Sequence, residues 1–367
     1  MNLADDPPQS ASDMSRASMT AQFLRNASRS KGARQGVLAL LDQGIASTTT
    51  FLTMLILARS CTQDEVGVYS LCLSLVLFAS MIQGRALSVP YTVFSAQRQG
   101  EGAATLLGST LVHQTLLAGL TVLATLAYGV YLLASEGFST MTASVLALAV
   151  ATVPYMLREF LRTVCFAHFR LRSALAIDGI VFLLQVGGLS ALAWSDKLSV
   201  SLSCLAIGVA CALGASNWFA NNRNGRFRID RSTVKSDARQ HWNYSRWLVF
   251  GRLLGDGCQV AMPWVVAGLI DRSAAGVLAV CVTLAGFSWV FVRGLNNLLQ
   301  PRAILAYNEH AQRGLRQELI RSAAIYAVVL GTVCIVFALA GSWLLGTIFG
   351  SEFGWAKSTL VVLGFNT

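Results

Sequence analysis

Long apolar blocks separated by short polar segments restrict the fold of this chain more than any other feature. A block of about 20 apolar residues crosses the ~30 Å hydrocarbon core of a bilayer as an α-helix. Only 13% of the residues are charged, against about 25% in a typical soluble domain. A β-barrel would instead alternate apolar and polar residues over segments of ~10 residues, a pattern the sequence lacks. The sequence therefore predicts an all-α integral membrane protein.

Nine full transmembrane helices and a partial tenth are predicted from these blocks. They cover residues 36–58, 67–89, 104–133, 141–158, 174–194, 199–219, 247–270, 274–298 and 322–349, and the tenth run begins near residue 358. Six helices fall in the first half, whereas the second half has room for three and a fragment. We expect an incomplete second bundle, as in a truncated product; a genuine protein with a short last helix is the alternative.

A nine-residue segment of the second predicted helix returns 209 positions later. Residues 67–75 (GVYSLCLSL) and 276–284 (GVLAVCVTL) match at glycine, valine, cysteine and leucine, and Phe78 is matched by Phe287. This echo favours an internal duplication. In a membrane protein, two similar halves point to transport, because they can rock about a site between them. Chance similarity between apolar segments is the alternative.

The distribution of basic residues predicts the orientation of the helices. With the N-terminus in the cytoplasm, 23 of the 28 Lys and Arg residues lie on the cytoplasmic side, where membrane proteins concentrate them. The first and seventh helices then run in the same direction, so the halves would be related by an axis along the membrane normal. The net charge of +10 is explained by this bias. No nucleic-acid-binding module appears, and no nucleic-acid partner is expected.

Four segments follow from this scheme. Residues 1–34 are expected to form a polar, basic cytoplasmic tail, and residues 35–220 the first six-helix bundle. Residues 221–246 are a basic cytoplasmic linker, either an amphipathic surface helix or a solvated loop. Residues 247–367 are expected to form the second, incomplete bundle.

The sequence carries no signature of a catalytic, cofactor or metal site. The eight cysteines lie mostly within apolar segments and form no C-x-x-C pair, and the four histidines lack metal-ligand spacing. No phosphate-binding loop, H-E-x-x-H or G-x-S-x-G motif is present. We therefore expect no enzyme activity, no cofactor and no metal.

Ionisable side chains within the membrane are the first candidates for a functional site, because they are costly there and usually face a cavity or a partner. Arg252 and Asp256 are four residues apart, so they share a helix face and can pair. Asp42 and Asp178 are further candidates. All three aspartates are assigned to cation coupling or to pairing, with a purely structural or interfacial position as the alternative.

Arginines near the cytoplasmic ends of helices are candidates for holding an anionic head group. Arg85 and Arg293 occupy nearly equivalent positions in the two echoed helices, and a guanidinium forks onto phosphate oxygens. They join Arg252 as head-group candidates; simple cytoplasmic anchoring is the alternative. Gln43, Asn296 and Asn297 are candidate polar cavity residues, although the asparagines could instead cap a helix end.

Three segments, residues 57–70, 265–301 and 349–356, resemble motifs of the polysaccharide (O-antigen type) flippases, which belong to the multidrug/oligosaccharidyl-lipid/polysaccharide flippase superfamily. Residues 57–70 (LARSCTQDEVGVYS) resemble that family's L-A-R-x-L-x-x-x-x-F/Y-G-x-Y turn, although Val66 replaces the usual aromatic residue. Residues 265–301 are similar to the start of its second half. Residues 349–356 (FGSEFGWA) resemble its F-G-x-x-F/Y-x-x-A turn.

The resemblance implies two helical bundles around a central, often cationic cavity. It implies that the protein moves undecaprenyl-pyrophosphate-linked oligosaccharide across the bacterial cytoplasmic membrane. The expected partners are this lipid-linked oligosaccharide, membrane lipids and other polysaccharide assembly proteins. A cation-coupled drug exporter of the same superfamily, using Asp178 and Asp256, is one alternative. A non-transporting scaffold or inactive fragment is another.

Overall fold

The computed structural model describes the backbone of residues 31–221 and 227–365. Side chains are described for residues 34–221, 227–288, 292, 295, 299 and 312–364. The expected tail, residues 1–34, therefore lies almost wholly outside the described residues.

The described residues are almost entirely helical and contain no strand. The α-helices are α1 (Lys31–Ser60), α2 (Gln63–Gln83), α3 (Val89–Ser95), α4 (Glu101–Ser135), α5 (Thr140–Ala167), α6 (Leu171–Trp194), α7 (Val200–Asn221), α8 (Arg231–Leu269), α9 (Arg272–Ile348) and α10 (Lys357–Phe365). A π-helical turn (Gly84–Ser88) joins α2 to α3, and a 3₁₀ turn (Ser351–Ala356) precedes α10.

Side-chain caps explain where several of these helices begin. Thr62 forms a capping box with Glu65 at the start of α2. Ser139 caps α5, and Asp230 and Asp271 cap α8 and α9 by accepting a bond from a backbone N–H of the first turn. Each cap satisfies a donor that the helix itself leaves free.

Seven helices among the described residues are long and apolar enough to cross a membrane. They span Arg34–Ser60, Gln63–Ser95, Glu101–Ser135, Thr140–Ala167, Leu171–Trp194, Val200–Asn221 and Gln312–Ile348. Leu116, Leu120 and Leu123 of α4 are each more than 60% exposed, an apolar stripe that suits lipid and not water. The protein is an all-α, multi-pass membrane protein, as predicted; the count of nine full helices stays a prediction.

Two boundaries differ from the predicted ones. Helix α8 begins at Arg231 and joins the expected linker to the predicted seventh helix in one element. Helix α9 runs unbroken from Arg272 to Ile348, where two helices separated by a polar segment were expected. The separating residues, 302–321, are rich in Ala, Leu, Gln, Glu and Arg. These are strong helix formers, so polarity alone did not end the helix.

The two echoed segments meet at a close crossing of α2 and α9. A Cβ added to Gly67 would overlap the carbonyl oxygen of Arg272, and one added to Gly276 would overlap that of Gln63. Gly276 follows Gly67 by the same 209 positions by which Arg272 follows Gln63. The contact is therefore reciprocal, and it requires glycine on both helices. The internal duplication that this reciprocity suggests stays a prediction.

Further contacts surround this crossing, at what we call the glycine end of the protein. Arg59 donates to the backbone carbonyls of Thr347 and Ile348, and the Gln63 amide donates to the carbonyl of Glu352 at 2.8 Å. Phe51 contacts both Phe287 and Phe349 edge to face. These contacts close the glycine end and leave space at the opposite end of α2.

The Gly67→Ala substitution should destabilise the protein by about 1–3 kcal/mol, because its methyl group would meet backbone that cannot move aside cheaply. Its control is Gly187→Ala in α6, where a Cβ meets nothing within 4 Å and helix propensity predicts a gain of about 0.5–1 kcal/mol. The free energy of unfolding in detergent micelles measures both. Equal stability of the two variants would contradict the tight crossing.

Candidate functional site

A cavity of about 480 Å³ lies beside the π-helical turn, between α2, α3, α5 and α8. Its wall carries two arginines and four hydroxyl side chains, which are Arg85, Arg252, Ser80, Ser88, Thr92 and Thr163. The hydroxyl oxygen of Ser80 is buried and has no hydrogen-bond partner among the described residues. The cavity thus offers cationic groups and hydroxyls to a polar, anionic ligand.

The π-helical turn places Gly84, Arg85 and Ser88 on this wall. The backbone N–H of Val89 bonds to the carbonyl of Gly84, five residues back. The turn directly precedes Pro90, whose ring lacks an N–H and clashes with the preceding turn of an α-helix. A π turn within a helix often marks a functional site. The sequence predicted one regular helix here, and Pro90 was the available signal for the irregularity.

Two of the three head-group candidates lie on this one cavity wall. Arg85 forms no ion pair with any described residue, whereas Arg252 pairs with Asp256 on the same face of α8, as the spacing predicts. The side chains of Arg293, Asn296 and Asn297 lie outside the described residues. Gln43 is exposed and bonds to Ser47 of its own helix at 3.3 Å; it lines neither described cavity.

A second polar feature is a buried cluster that we call the α5 ion network, made of Asp42, Arg158, Glu159, Arg162 and Asp178. Asp178 pairs with both arginines, at 2.8 Å from Nε of Arg162. Arg162 also donates to Asp42 at 2.8 Å, and Arg158 to Glu159 at 2.7 Å. Asp42 and Asp178 are each 1% exposed. The network therefore lies in the interior of the first predicted bundle.

The network has an unequal charge balance. With all groups ionised, three carboxylates face two guanidinium groups, and Oδ1 of Asp42 is buried without a hydrogen-bond partner among the described residues. Such a cluster can accept one proton and become neutral. The structure thus brings Asp42 and Asp178 together as pairing residues and keeps Asp256 apart with Arg252.

Sequence analysis missed Arg158 and Arg162 because it ended their helix at residue 158 and assigned both to the cytoplasmic side. Helix α5 continues to Ala167, so both arginines are within a helix and four residues apart on one face. Asp42 of α1 and Asp178 of α6 neutralise the two arginines within the bundle, so the guanidinium groups need not extend to water. The spacing was a signal, but the partners on other helices were not visible in the sequence.

A third polar cluster docks the first part of α8 against α3 and α4. Asp237, His241 and Ser245 are buried at a spacing of four residues. Asp237 accepts hydrogen bonds from Arg98 at 2.8 Å and from Ser109, and His241 stacks on Phe94. Residues 231–246 of the predicted linker therefore form a docked helix. Its buried face is polar, where an amphipathic surface helix would bury apolar residues.

Burial, and then the neighbouring His113, lower the pKa of His241 to about 4. Its folded pKa is below the value of about 6.5 in an unfolded chain. The neutral ring therefore contributes stability above pH 6.5, and this contribution is lost as the pH falls towards 4.

Acidification from pH 7 to pH 4.5 should therefore destabilise the protein, by about 2–3 kcal/mol from His241 alone. The His241→Phe variant keeps the ring stacked on Phe94 and should lose this part of the pH dependence. The measurement is the free energy of unfolding in micelles as a function of pH. Identical pH profiles for the two proteins would contradict the assignment.

Asp178→Ala should destabilise the protein by about 3–5 kcal/mol, because it leaves buried arginines without their shared carboxylate. The control, Asp256→Ala, breaks a pair whose side chains are 33–44% exposed and should cost below about 1 kcal/mol. Denaturant titration of the reconstituted protein separates the two costs. A small cost at Asp178 would show that the network does not hold α1, α5 and α6 together.

Comparison with known proteins adds no family to these observations. No protein family model matches the chain, and no curated protein matches it. The functional assignment therefore depends on the residues and geometry described above and on the motifs of the sequence.

Proposed function

We propose that this protein is a membrane transporter that flips a lipid-linked oligosaccharide with a pyrophosphate head group across the bacterial cytoplasmic membrane. The observation that carries the proposal is the shared position of Arg85 and Arg252 on the wall of one open cavity. Arg85 has no acidic partner among the described residues, so its guanidinium is free to bind an anion. A free cation inside a membrane protein is costly unless it faces a cavity or a ligand.

The chemistry of the wall suits a pyrophosphate linked to a sugar. Each guanidinium can donate two parallel hydrogen bonds to phosphate oxygens. Ser80, Ser88, Thr92 and Thr163 can exchange hydrogen bonds with further phosphate oxygens or with sugar hydroxyls. None of the described residues on the wall has a carboxylate, a group that would repel the anion.

The architecture proposed for transport is two bundles that rock about this cavity. The reciprocal contact of Gly67 and Gly276 supports a duplicated unit. Each glycine approaches the carbonyl group of the residue that occupies the corresponding position in the other half. With a cytoplasmic N-terminus, the closed glycine end faces outward and the cavity opens inward. Residues 35–220 would form one half and residues 247–367 the start of the other, joined by the docked segment of α8.

The excess carboxylate of the α5 ion network favours one alternative, a cation-coupled drug exporter. Such a transporter would use Asp178 of this network, or Asp256 beside Arg252, to take up a proton or another cation as a cationic drug leaves. The cavity argues against this reading, since Arg85, which has no acidic partner among the described residues, would repel cationic drugs. A non-transporting scaffold remains the other alternative.

The Arg85→Ala and Arg252→Ala variants should each flip a fluorescent polyprenyl-pyrophosphate saccharide about ten- to a hundredfold more slowly, because each loses charge-assisted bonds of about 1.5–3 kcal/mol. Flipping is measured in proteoliposomes, by the loss of fluorescence when a membrane-impermeant quencher is added. Arg246→Ala removes an exposed arginine of α8 outside the cavity and is the matched control.

The same proteoliposomes separate the alternatives. Efflux of a cationic dye without flipping of the saccharide would favour the drug exporter. Absence of both activities in the unaltered protein would overturn the transport proposal in favour of a scaffold. Unchanged flipping in both arginine variants would overturn the head-group assignment.

A further inference from the structure

A second cavity, of about 340 Å³, lies between α2, α4 and α8; we call it the α2–α8 crevice. Its wall includes Leu75 and Phe78 of α2, Tyr128 of α4, and Ala261 and Trp264 of α8. Phe78 is 43% exposed, so the crevice opens on the surface of the protein.

The side-chain polar atoms of Ser74 and Trp264 on this wall are used within the protein. The indole N–H of Trp264 donates to Oγ of Ser74 at 2.6 Å, and Ser74 donates to the carbonyl of Leu71 at 2.7 Å. The rings of Tyr128 and Trp264 meet edge to face with centroids 5.7 Å apart. What the crevice presents to a ligand is therefore an apolar, aromatic surface.

The crevice and the cationic cavity follow one another along the same pair of helices. On α2, Ser74 to Phe78 line the crevice, and Ser80 to Gly84 line the cavity. On α8 the order is reversed, with Trp264 at the crevice and Arg252 at the cavity. Arg252 and Trp264 are twelve positions apart, which corresponds to about 18 Å of helix. The seam between α2 and α8 thus has a cationic end and an apolar end.

We propose that the α2–α8 crevice holds the apolar chain of an anionic polyprenyl lipid whose phosphate is bound at Arg85 and Arg252. The proposal rests on the proposed function and adds the path of the lipid chain. Charge complementarity selects an anionic lipid, and the proposed function makes its chain a polyprenyl chain. A neutral lipid would leave Arg85 without a counter-ion, and a free sugar phosphate would leave the apolar end empty.

The bilayer determines what the crevice contributes. Lipid tails are already apolar, so moving a chain from the bilayer into the crevice gains little from the hydrophobic effect. Packing against the rings of Phe78, Tyr128 and Trp264 therefore selects the shape of the chain, while the arginines supply most of the affinity. A branched polyprenyl chain presents a different shape from the straight acyl chains around it.

The test uses the full chain in nanodiscs of phosphatidylcholine and a polyprenyl phosphate that carries a photoactivatable diazirine in its chain. After illumination, mass spectrometry locates the attachment sites. We expect attachment at Phe78, Tyr128 and Trp264. Attachment spread evenly over exposed positions such as Leu116 and Leu120 of α4 would overturn the proposal.

Two variants of α8 form a matched pair for this test. Ala261→Trp fills the crevice and should abolish attachment there, whereas Gln259→Trp adds the same side chain at an exposed position on the opposite face of α8 and should leave it unchanged. If Ala261→Trp does not fold, Phe78→Ala replaces it in the test. This variant removes a wall residue without crowding the crevice and should also reduce attachment. Unchanged attachment in Phe78→Ala and in a folded Ala261→Trp protein would overturn the proposal.

Competition identifies the occupant. Unlabelled polyprenyl phosphate in excess should prevent attachment, and phosphatidylglycerol at the same concentration should not; equal competition would make the crevice a general lipid site and overturn the proposal. Transport serves as a separate readout. Attachment in the crevice without saccharide flipping would contradict only the proposed function. Normal flipping by Ala261→Trp would contradict only the proposal that the crevice holds the lipid chain.

Discussion

The close crossing of Gly67 and Gly276 is the contact on which the arrangement of the remaining helices depends. Backbone meets backbone there, so α2 and α9 approach more closely than any side chain would allow. Because α8 leads directly into α9, the crossing also brings α8 alongside α2. The seam between α2 and α8 then diverges away from the glycine end, and both cavities lie along it. A closed end and an open end follow from one contact.

The first bundle is held together mainly by contacts between charged and polar side chains. In lipid, apolar side chains gain little from leaving the bilayer, so packing and polar contacts must hold helices together. The α5 ion network joins α1, α5 and α6 through groups that are expensive to bury singly and stable only together. The Asp237 cluster attaches the start of α8 in a similar way. Structural cations are thus paired, and Arg85, which faces the cavity, has no acidic partner among the described residues.

Sequence reasoning succeeded where a residue's role depends on near neighbours in the chain. The apolar blocks predicted membrane helices, and the spacing of Arg252 and Asp256 predicted a pair that the structure contains. It ended the helix of Arg158 and Arg162 too early, at residue 158. The carboxylate partners of these arginines belong to other helices, so the sequence did not show that both charges are neutralised within the bundle. It also ended α9 too early, since polarity was taken for a break in a segment of strong helix formers.

The sequence by itself determined that this chain is an all-α, multi-pass membrane protein, because hydrophobic length and low charge leave no other way to satisfy the backbone in lipid. It also pointed to Arg252, because this residue lies within a predicted membrane helix, and to Arg85, because its position in the echoed helices is nearly equivalent to that of Arg293. Only the tertiary structure decided which charges on different helices are paired and which charges face a cavity. Pairing depends on distances between residues more than a hundred positions apart, such as Asp42 and Arg162, and no local pattern encodes those distances.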